Sequence, residues 1–172
     1  VSTKAGGYCR GGVGSRFLLP GDFDVQVDAH LNFLDDQGKM DQALMFVVED
    51  DRSRAMAYIG AARKADGRPL VYAWHWKQGN RPPKPSLEPI EKSFHGTLRI
   101  TRAGRTVKTF YRMEGTGSWK ELMRFTGLQG DVAVGLSVKN RTGKPRDIEA
   151  SVPVVAEFDN FRINAADDIL GE

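Results

Sequence analysis

The apolar residues of the chain recur in short runs that alternate with polar positions. In DVQVDAHL, residues 24–31, the apolar side chains of Val25, Val27, Ala29 and Leu31 occupy every second position. A period of two places such side chains on one face of a β-strand. Ten runs of this kind are predicted to be strands, and Gly, Asp, Asn and Pro between them are typical of tight turns. The predicted strands are RFLL, FDVQVDAHLNF, ALMFVVED, RAMAYIGAA, LVYAWHWKQ, GTLRITRAG, TVKTFYRM, WKELMRF, DVAVGLSV and VVAEFDNFRI.

This pattern predicts an all-β fold. Short strands joined by tight turns are typical of a two-layer antiparallel β-sandwich or of a barrel. The 172 residues fit one domain with a sizeable core. We assign residues 1–164 to this domain and residues 165–172 to a C-terminal tail or linker.

Two segments interrupt the alternation. Residues 77–93, KQGNRPPKPSLEPIEKS, hold four of the eight prolines and are therefore predicted to be a stiff, exposed loop outside the strand ladder. Residues 139–153, KNRTGKPRDIEASVP, are predicted to be a second, basic loop. Long loops in small domains often have functional roles.

Composition limits the classes of partner. The net charge is only +3, and Lys and Arg are scattered along the chain, which does not favour nucleic acid. The longest apolar run, residues 43–48, is too short to cross a bilayer, and no signal segment precedes it. Because the chain starts at Val1 without Met, we expect a processed piece of a longer protein. The lone Cys9 cannot form an internal disulfide and is predicted to be a small buried residue.

The stretch VYAWHWKQGN, residues 71–80, places Tyr72, Trp74 and Trp76 on one face of a strand, about 6.8 Å apart. One interpretation is a platform on which sugar rings stack. The other is a row of core residues, which we favour because the opposite face carries His75 and Lys77, and lysine is rarely buried. In the second case His75 and Lys77 face solvent and line a groove.

The strand DVAVGLSV, residues 131–138, has one apolar face and one face of small side chains. The apolar residues are Val132, Val134, Leu136 and Val138, and the small residues are Ala133, Gly135 and Ser137. A strand without bulky residues on its outer face lets a ligand or another backbone approach closely. It is predicted to be either the floor of a groove or a surface covered by a neighbouring loop or partner domain.

Three segments together carry a family resemblance: GDFDVQVDAHL, HGTLRITRAGRTVKTFYRMEGTGSWKEL and VVAEFDNFRI. The chain resembles the concanavalin A-like lectin/glucanase superfamily, which includes laminin-G-like modules and laminarinase-type hydrolases. It looks closest to an uncharacterised bacterial domain found in planctomycete proteins. The resemblance implies a jelly-roll sandwich of two curved sheets, with ligands on the concave face or in rim loops, and an extracytoplasmic or secreted protein.

The resemblance does not extend to catalysis. Laminarinase-type hydrolases carry Glu-x-Asp-x-x-Glu on one strand, and this chain has no such spacing. Its nearest acidic cluster, residues 49–51, is followed by Arg52 and is predicted to be a charged hairpin turn. In related sandwiches an Asp of the final strand helps to bind a structural calcium ion, and Asp159 occupies the matching place. We therefore name no catalytic residue and Asp159 as a possible calcium ligand.

Three classes of function remain open. The first is a non-catalytic, lectin-like module that binds a polysaccharide or glycan, with Trp74, His75 and Trp76 as candidate contacts, within a larger extracytoplasmic protein. The second is a glycoside hydrolase or other sugar-active enzyme with an atypical site, such as His75 with a carboxylate from a neighbouring strand. The third is a structural or protein-interaction module of the laminin-G type.

Overall fold

The alternating segments form eleven β-strands in a computed structural model, counted over the residues that the structure describes: 1–2, 9–34, 40–64, 67–77, 84–142 and 153–167. The strands are β1 (Cys9–Gly14), β2 (Phe23–Leu31), β3 (Met40–Asp50), β4 (Met56–Arg63), β5 (Pro69–Trp76), β6 (Ser86–Pro89), β7 (Phe94–Ala103), β8 (Thr106–Met113), β9 (Lys120–Thr126), β10 (Val132–Thr142) and β11 (Ala156–Ala166). Within these ranges, no helix is long and apolar enough to cross a bilayer.

The strands form two antiparallel sheets that pack face to face. One sheet has six strands in the order β1-β10-β3-β4-β5-β6, and the other has five in the order β11-β2-β7-β8-β9. This arrangement confirms the predicted all-β, two-layer antiparallel sandwich. The final strand extends to Ala166, two residues beyond the domain boundary assigned from the sequence, and the backbone N–H of Asp167 donates to the carbonyl of Asp22 at 3.1 Å.

The main apolar core fills the space between the sheets. Along β2 the side chains of Val25, Val27, Ala29 and Leu31 point into it and are fully buried, as the alternation predicts. Burial of each such Val or Leu side chain contributes about 1.5–3 kcal/mol to stability. The largest other fully buried side chains of this core are those of Leu19, Leu44, Phe46, Ile59, Phe94, Leu98, Ile100 and Leu128.

Nine of the ten predicted strands are confirmed. The structure differs from the prediction at three segments. RFLL forms no strand, because only an isolated bridge joins Leu19 to Val132. The glycine-rich β1 and the proline-flanked β6 were not predicted. Both are edge strands with a single hydrogen-bonded neighbour, and edge positions tolerate Gly and Pro that would weaken a central strand.

The favoured orientation of β5 is wrong. Val71 and Ala73 face the core between the sheets, and Tyr72 and Trp74 belong to a separate apolar cluster on the outer face of the six-stranded sheet. Lys77 does not fix the orientation of β5, because the strand ends at Trp76 and this exposed lysine lies beyond it.

A buried carboxylate joins the hairpin between β3 and β4 to the segment that leads into β10. Asp50 is 1 % exposed and accepts four backbone hydrogen bonds, from Arg52 and Ser53 at 3.1 and 2.7 Å and from Gln129 and Gly130 at 3.1 and 2.6 Å. Burial alone would raise its pKa, but these donors outweigh burial and lower the pKa to about 2. The predicted charged turn at residues 49–51 is thus confirmed and holds two neighbouring strands together.

Candidate functional site

The outer face of the six-stranded sheet has two parts, an apolar cluster over β3, β4 and β5 and an open depression over β1 and β10. The cluster contains Ala43, Met45, Tyr58, Ala62, Leu70 and Tyr72, with Val47, Met56 and Trp74 at its margin. These residues lie on this face because alternation sends every second side chain of each strand outward.

Aromatic rings dominate the apolar cluster. Tyr58 contacts Tyr72 and Trp74 edge to face, with ring centroids 5.8 and 5.5 Å apart. Such pairs contribute about 0.5–1.5 kcal/mol beyond simple burial. Tyr58 and Tyr72 are each only 9 % exposed, and burial raises the pKa of Tyr58. These two tyrosines are packing residues, whereas Trp74 and Trp76 are only partly buried.

The depression next to this cluster has a volume of about 310 Å³. Its floor is built from small outward residues of β1 and β10, and its wall from outward residues of β3. The residues concerned are Gly12, Gly14, Ala133, Gly135 and Ser137 on the floor and Val47 and Glu49 on the wall. The inward residues Val132, Val134 and Val138 are buried in the core, which confirms the prediction of one apolar and one small-residue face.

Two polar groups lie in the depression. Ser137 is 4 % exposed, and its Oγ has no hydrogen-bond partner within the described part of the chain. A buried hydroxyl without a partner costs about 1–3 kcal/mol. Glu49 forms an ion pair with Arg54 at 2.8 Å. The Ser137 Oγ is closed off from solvent, and the Glu49 carboxylate already has a cationic partner.

His75 lies apart from the two tryptophans. Its ring stacks on Phe125 of the opposite sheet at 4.3 Å between centroids, which places it on the inner face of β5. Burial lowers its pKa, and Nδ1 has no hydrogen-bond partner within the described ranges. Among the residues that the structure describes, no carboxylate is paired with His75. The structure therefore brings Trp74 and Trp76 to one face and leaves His75 without the partner that general acid–base catalysis requires.

Asp159 lies on the other outer face, that of the five-stranded sheet. It is the cross-strand neighbour of Asp28, and both line a polar basin of about 440 Å³. Asp28 accepts hydrogen bonds from Thr97 Oγ1 at 2.7 Å and from Asn160 Nδ2 at 3.0 Å. Asp159 Oδ1 accepts the backbone N–H of Asn160 at 2.7 Å.

The described residues of this basin provide no ligand set for a metal ion. Over the described ranges, no group of three His, Cys, Asp or Glu side chains is placed to hold one. Calcium prefers six or more oxygens, and both oxygens of Asp28 already accept hydrogen bonds from neutral donors. The calcium ion predicted at Asp159 has no fitting cage in the described part of the chain and stays a prediction.

Sequence reasoning found the small residues of β10 and the tryptophans, but it missed Tyr58 and the contribution of β1. A signal was present for both. Met56, Tyr58, Gly60 and Ala62 alternate along β4, and glycines 12 and 14 are two residues apart in β1. The glycine-rich segment carries no strand propensity, so only the pairing of β1 with β10 reveals its place on the floor.

A family model described as "Protein of unknown function (DUF1583) C domain" matches residues 1–151, most of the chain. The chain belongs to this family. No curated protein sequence matches it significantly.

Solved structures are similar to this DUF1583 C domain in fold. A functionally unknown protein from Saccharomyces cerevisiae has a TM-score of 0.61 at 14 % identity, with 90 % of this chain and 72 % of that chain covered. Xylan beta-1,4-xylosidase from Bacillus halodurans C-125 gives 0.55 at 17 % identity, with 83 % of this chain but only 27 % of that chain covered. Bacillus licheniformis beta-glucanase has a TM-score of 0.51 at 9 % identity, with 91 % of this chain and 70 % of that chain covered.

At such identities the likeness concerns the fold alone. Together with the two antiparallel sheets, it confirms the jelly-roll sandwich of the concanavalin A-like type that the resemblance implied. The DUF1583 C domain matches about a quarter of the xylosidase, so that enzyme contains much that this chain lacks.

Proposed function

We propose that the DUF1583 C domain is a non-catalytic carbohydrate-binding module whose ligand lies on the outer face of the six-stranded sheet. The observation that carries this proposal is the orientation of β5. Trp74 and Trp76 stand on the same outer face as the depression, and neither is part of the core between the sheets.

The chemistry of this face suits a sugar chain. The axial C–H faces of a sugar ring are apolar and stack on an indole ring, whose face is electron-rich. Trp74 and Trp76 are about 6.8 Å apart along the strand, which gives two stacking positions. The depression on the far side of β4 adds small and apolar surface to the same face. A largely apolar site with few polar groups is the usual composition of a small-molecule or sugar site.

The number of carboxylates in the depression favours binding without catalysis. Among the described lining residues of the depression, Glu49 is the one carboxylate, and glycoside hydrolysis requires two that flank the bond to be cleaved. Glu49 already forms an ion pair with Arg54 at 2.8 Å. His75, the other candidate for acid–base chemistry, faces the inside of the sandwich.

The comparisons support a sugar-related function in general terms. Structures similar in fold include a xylosidase and a beta-glucanase, whose names state action on polysaccharide. By analogy with such proteins, we place this domain in a larger, extracytoplasmic protein of the planctomycete type, with the module holding that protein on its polysaccharide.

Affinity gel electrophoresis of the chain in a panel of polysaccharides tests the proposal. We expect retardation by at least one polysaccharide and a loss of affinity of about tenfold or more for Trp74→Ala and Trp76→Ala. Trp119→Ala is the matched control, because Trp119 packs against Arg99 and Arg112 on the opposite outer face.

Thermal unfolding of each variant shows whether it has folded, which matters most for Trp74 because it packs on Tyr58. A chain that no polysaccharide retards contradicts the proposal. So does a Trp119 variant that loses binding while folded Trp74 and Trp76 variants keep it.

A further inference from the structure

The turn between β3 and β4 contains an arginine in a backbone conformation that normally favours glycine. Arg54 has a φ of 55°, in the left-handed region. A side chain is crowded in this region, whereas glycine adopts it freely. In three other turns the left-handed residue is a glycine: Gly67 at a φ of 85°, Gly104 at 56° and Gly115 at 74°. The backbone of Arg54 is therefore strained, and the reason must lie in its side chain.

Stability does not account for this arginine. The carbonyl of Asp50 accepts the N–H of Arg54 at 3.0 Å, and the N–H of Asp50 donates to the carbonyl of Ala55 at 2.8 Å. Both bonds join backbone atoms and form equally well with glycine. The guanidinium forms an ion pair with Glu49, but the Arg54 side chain is 65 % exposed, and exposed ion pairs contribute little to stability. The arginine is thus present at a cost to folding, which is typical of functional residues.

The ion pair lies on the same outer face as the tryptophans. Glu49 is the cross-strand neighbour of Met56, and Met56 is the cross-strand neighbour of Trp76. These three residues form a row across β3, β4 and β5, and its ends are about 10 Å apart, twice the spacing of neighbouring strands. Met56, in the middle, is partly buried and adds apolar surface. A sugar chain that stacks on Trp76 and crosses β4 therefore reaches Glu49 and Arg54.

The ion pair offers hydrogen-bond donors and acceptors side by side. A guanidinium has several N–H donors, and the contact through Nη2 with Glu49 uses only part of them, while a carboxylate only accepts. Two adjacent hydroxyls of a sugar ring match this pair, because one can accept from Arg54 while the other donates to Glu49. Hydrogen bonds to charged groups are stronger than those between neutral groups. An anionic sugar would instead compete with Glu49 for Arg54.

We infer that Arg54 is a ligand-contacting residue and that, together with Glu49, it binds adjacent hydroxyls of a polysaccharide stacked on Trp76. This inference rests on the proposed carbohydrate-binding function and adds a specificity-determining residue and the chemical group that it recognises. The strained backbone is then explained by the need for a long cationic side chain at this end of the sheet.

The first test uses affinity electrophoresis in uncharged polysaccharides (mixed-linkage β-glucan, xyloglucan, arabinoxylan and galactomannan) and in anionic ones (alginate and polygalacturonate). We expect at least one uncharged polysaccharide to retard the wild type. Arg54→Gln should weaken that binding about tenfold, and Arg54→Lys, which keeps the charge but loses the planar set of donors, about threefold or more. Arg52→Gln is the matched control, because it removes the same charge from an exposed position of the same turn and should leave binding unchanged.

The second test separates a ligand contact from a structural role. Arg54→Gly removes the side chain and the backbone strain together, so the variant should unfold at a temperature no lower than that of the wild type. The same variant should bind the uncharged polysaccharide about tenfold more weakly. A purely structural arginine would give the opposite pair of results, a lower melting temperature and unchanged binding.

The outcomes are distinguishable. Unchanged binding in a folded Arg54→Gln variant, with loss of binding in Trp76→Ala, overturns this inference and leaves the proposed function in place. Equal weakening by Arg52→Gln and Arg54→Gln would show a general attraction by positive charge, which also overturns the inference. Retardation by anionic polysaccharides alone overturns the contact with hydroxyls. Failure of every polysaccharide to bind the wild type overturns both the inference and the proposed function.

Discussion

The two outer faces of the sandwich differ in how their polar groups are satisfied. On the five-stranded sheet Arg99 forms a two-pronged ion pair with Asp24, and its guanidinium lies 5.3 Å from the ring centre of Trp119. On the six-stranded sheet the outward residues around the depression are small or apolar apart from Glu49, and the buried hydroxyl of Ser137 has no partner within the described residues.

This difference indicates where a ligand gains most. A ligand on the five-stranded face must compete with hydrogen bonds that the protein already makes to itself, and each exchange contributes little. On the six-stranded face it meets a depression and partly buried tryptophans, and it displaces few hydrogen bonds of the protein. A face that is polar and well ordered is therefore the weaker candidate, although it carries far more of the residues commonly associated with function.

The largest expected effect would come from breaking the support of the six-stranded face. Asp50→Asn replaces a carboxylate oxygen that accepts from Gln129 and Gly130 with an amide that donates, and should cost about 3 kcal/mol of unfolding free energy. Urea denaturation measures this loss. Hydrogen exchange should accelerate in β3 and β10 and change little in β7 and β8. Asp51→Asn is the control, because Asp51 is exposed. Equal losses of unfolding free energy in the two variants would show that the four hydrogen bonds to Asp50 contribute nothing.

The pH dependence of stability tests the same carboxylate without a large structural change. The pKa of Asp50 is about 2 in the folded protein and 3.8 without its partners. Because the folded pKa is the lower one, the stabilisation is present above about pH 4 and is lost as the pH falls through 2. The loss amounts to about 2 kcal/mol. Wild type and Asp50→Asn should therefore converge in stability at acid pH, and a constant difference between them would contradict this assignment.

A smaller effect distinguishes glycines within the six-stranded face. At Gly60 an added Cβ would lie 2.0 Å from the carbonyl oxygen of Leu44, whereas Gly135 has room for one. Gly60→Ala should therefore destabilise the protein by about 2 kcal/mol, through overpacking against a neighbouring backbone. Gly135→Ala should change stability by less than about 0.5 kcal/mol. The urea midpoints of both variants measure these effects. Equal shifts of the two midpoints would contradict the predicted difference between Gly60 and Gly135.

The alternation of the sequence was sufficient to predict the fold because it reports burial directly. In β2 each inward position is apolar and each outward position polar, so the orientation of the strand follows from the sequence. In β5 both faces are apolar, with Val71 and Ala73 on one side and Tyr72 and Trp74 on the other, and alternation cannot choose between them. The choice depends on the space left by the facing sheet, which is a tertiary property.

The candidate site was predictable only in part for the same reason. The small face of β10 could be recognised within one strand, because its apolar face identifies the inward direction. The depression also needs Gly12 and Gly14 of β1, which pair with β10 from a distant part of the sequence. The ion pair of Glu49 with Arg54, which neutralises the wall, depends on the geometry of the hairpin rather than on spacing.

A further prediction concerns the polar pairing of the five-stranded face. Asp24→Asn removes the ion pair with the partly buried Arg99 and should cost about 1 kcal/mol, while polysaccharide binding stays unchanged. Lys108→Gln alters the charge of the same face away from this pair and serves as the control. Urea denaturation and affinity electrophoresis measure the two properties. Loss of polysaccharide binding in a folded Asp24→Asn variant would make the five-stranded face the better candidate for the binding site.

The smallest expected effect tests the orientation of β5. The choice of the six-stranded face as the binding face depends on this orientation. Burial lowers the pKa of His75 below its ordinary value of 6.5, so the folded protein favours the neutral ring. Its contribution is therefore fully present above about pH 6.5 and declines as the pH falls through the folded pKa. His75→Phe keeps the stacking on Phe125 and removes the titration. Between pH 7 and 5 the melting temperature of the wild type should fall slightly more than that of the variant. Identical pH profiles would place His75 in solvent, and Trp74 and Trp76 would then return to the interior.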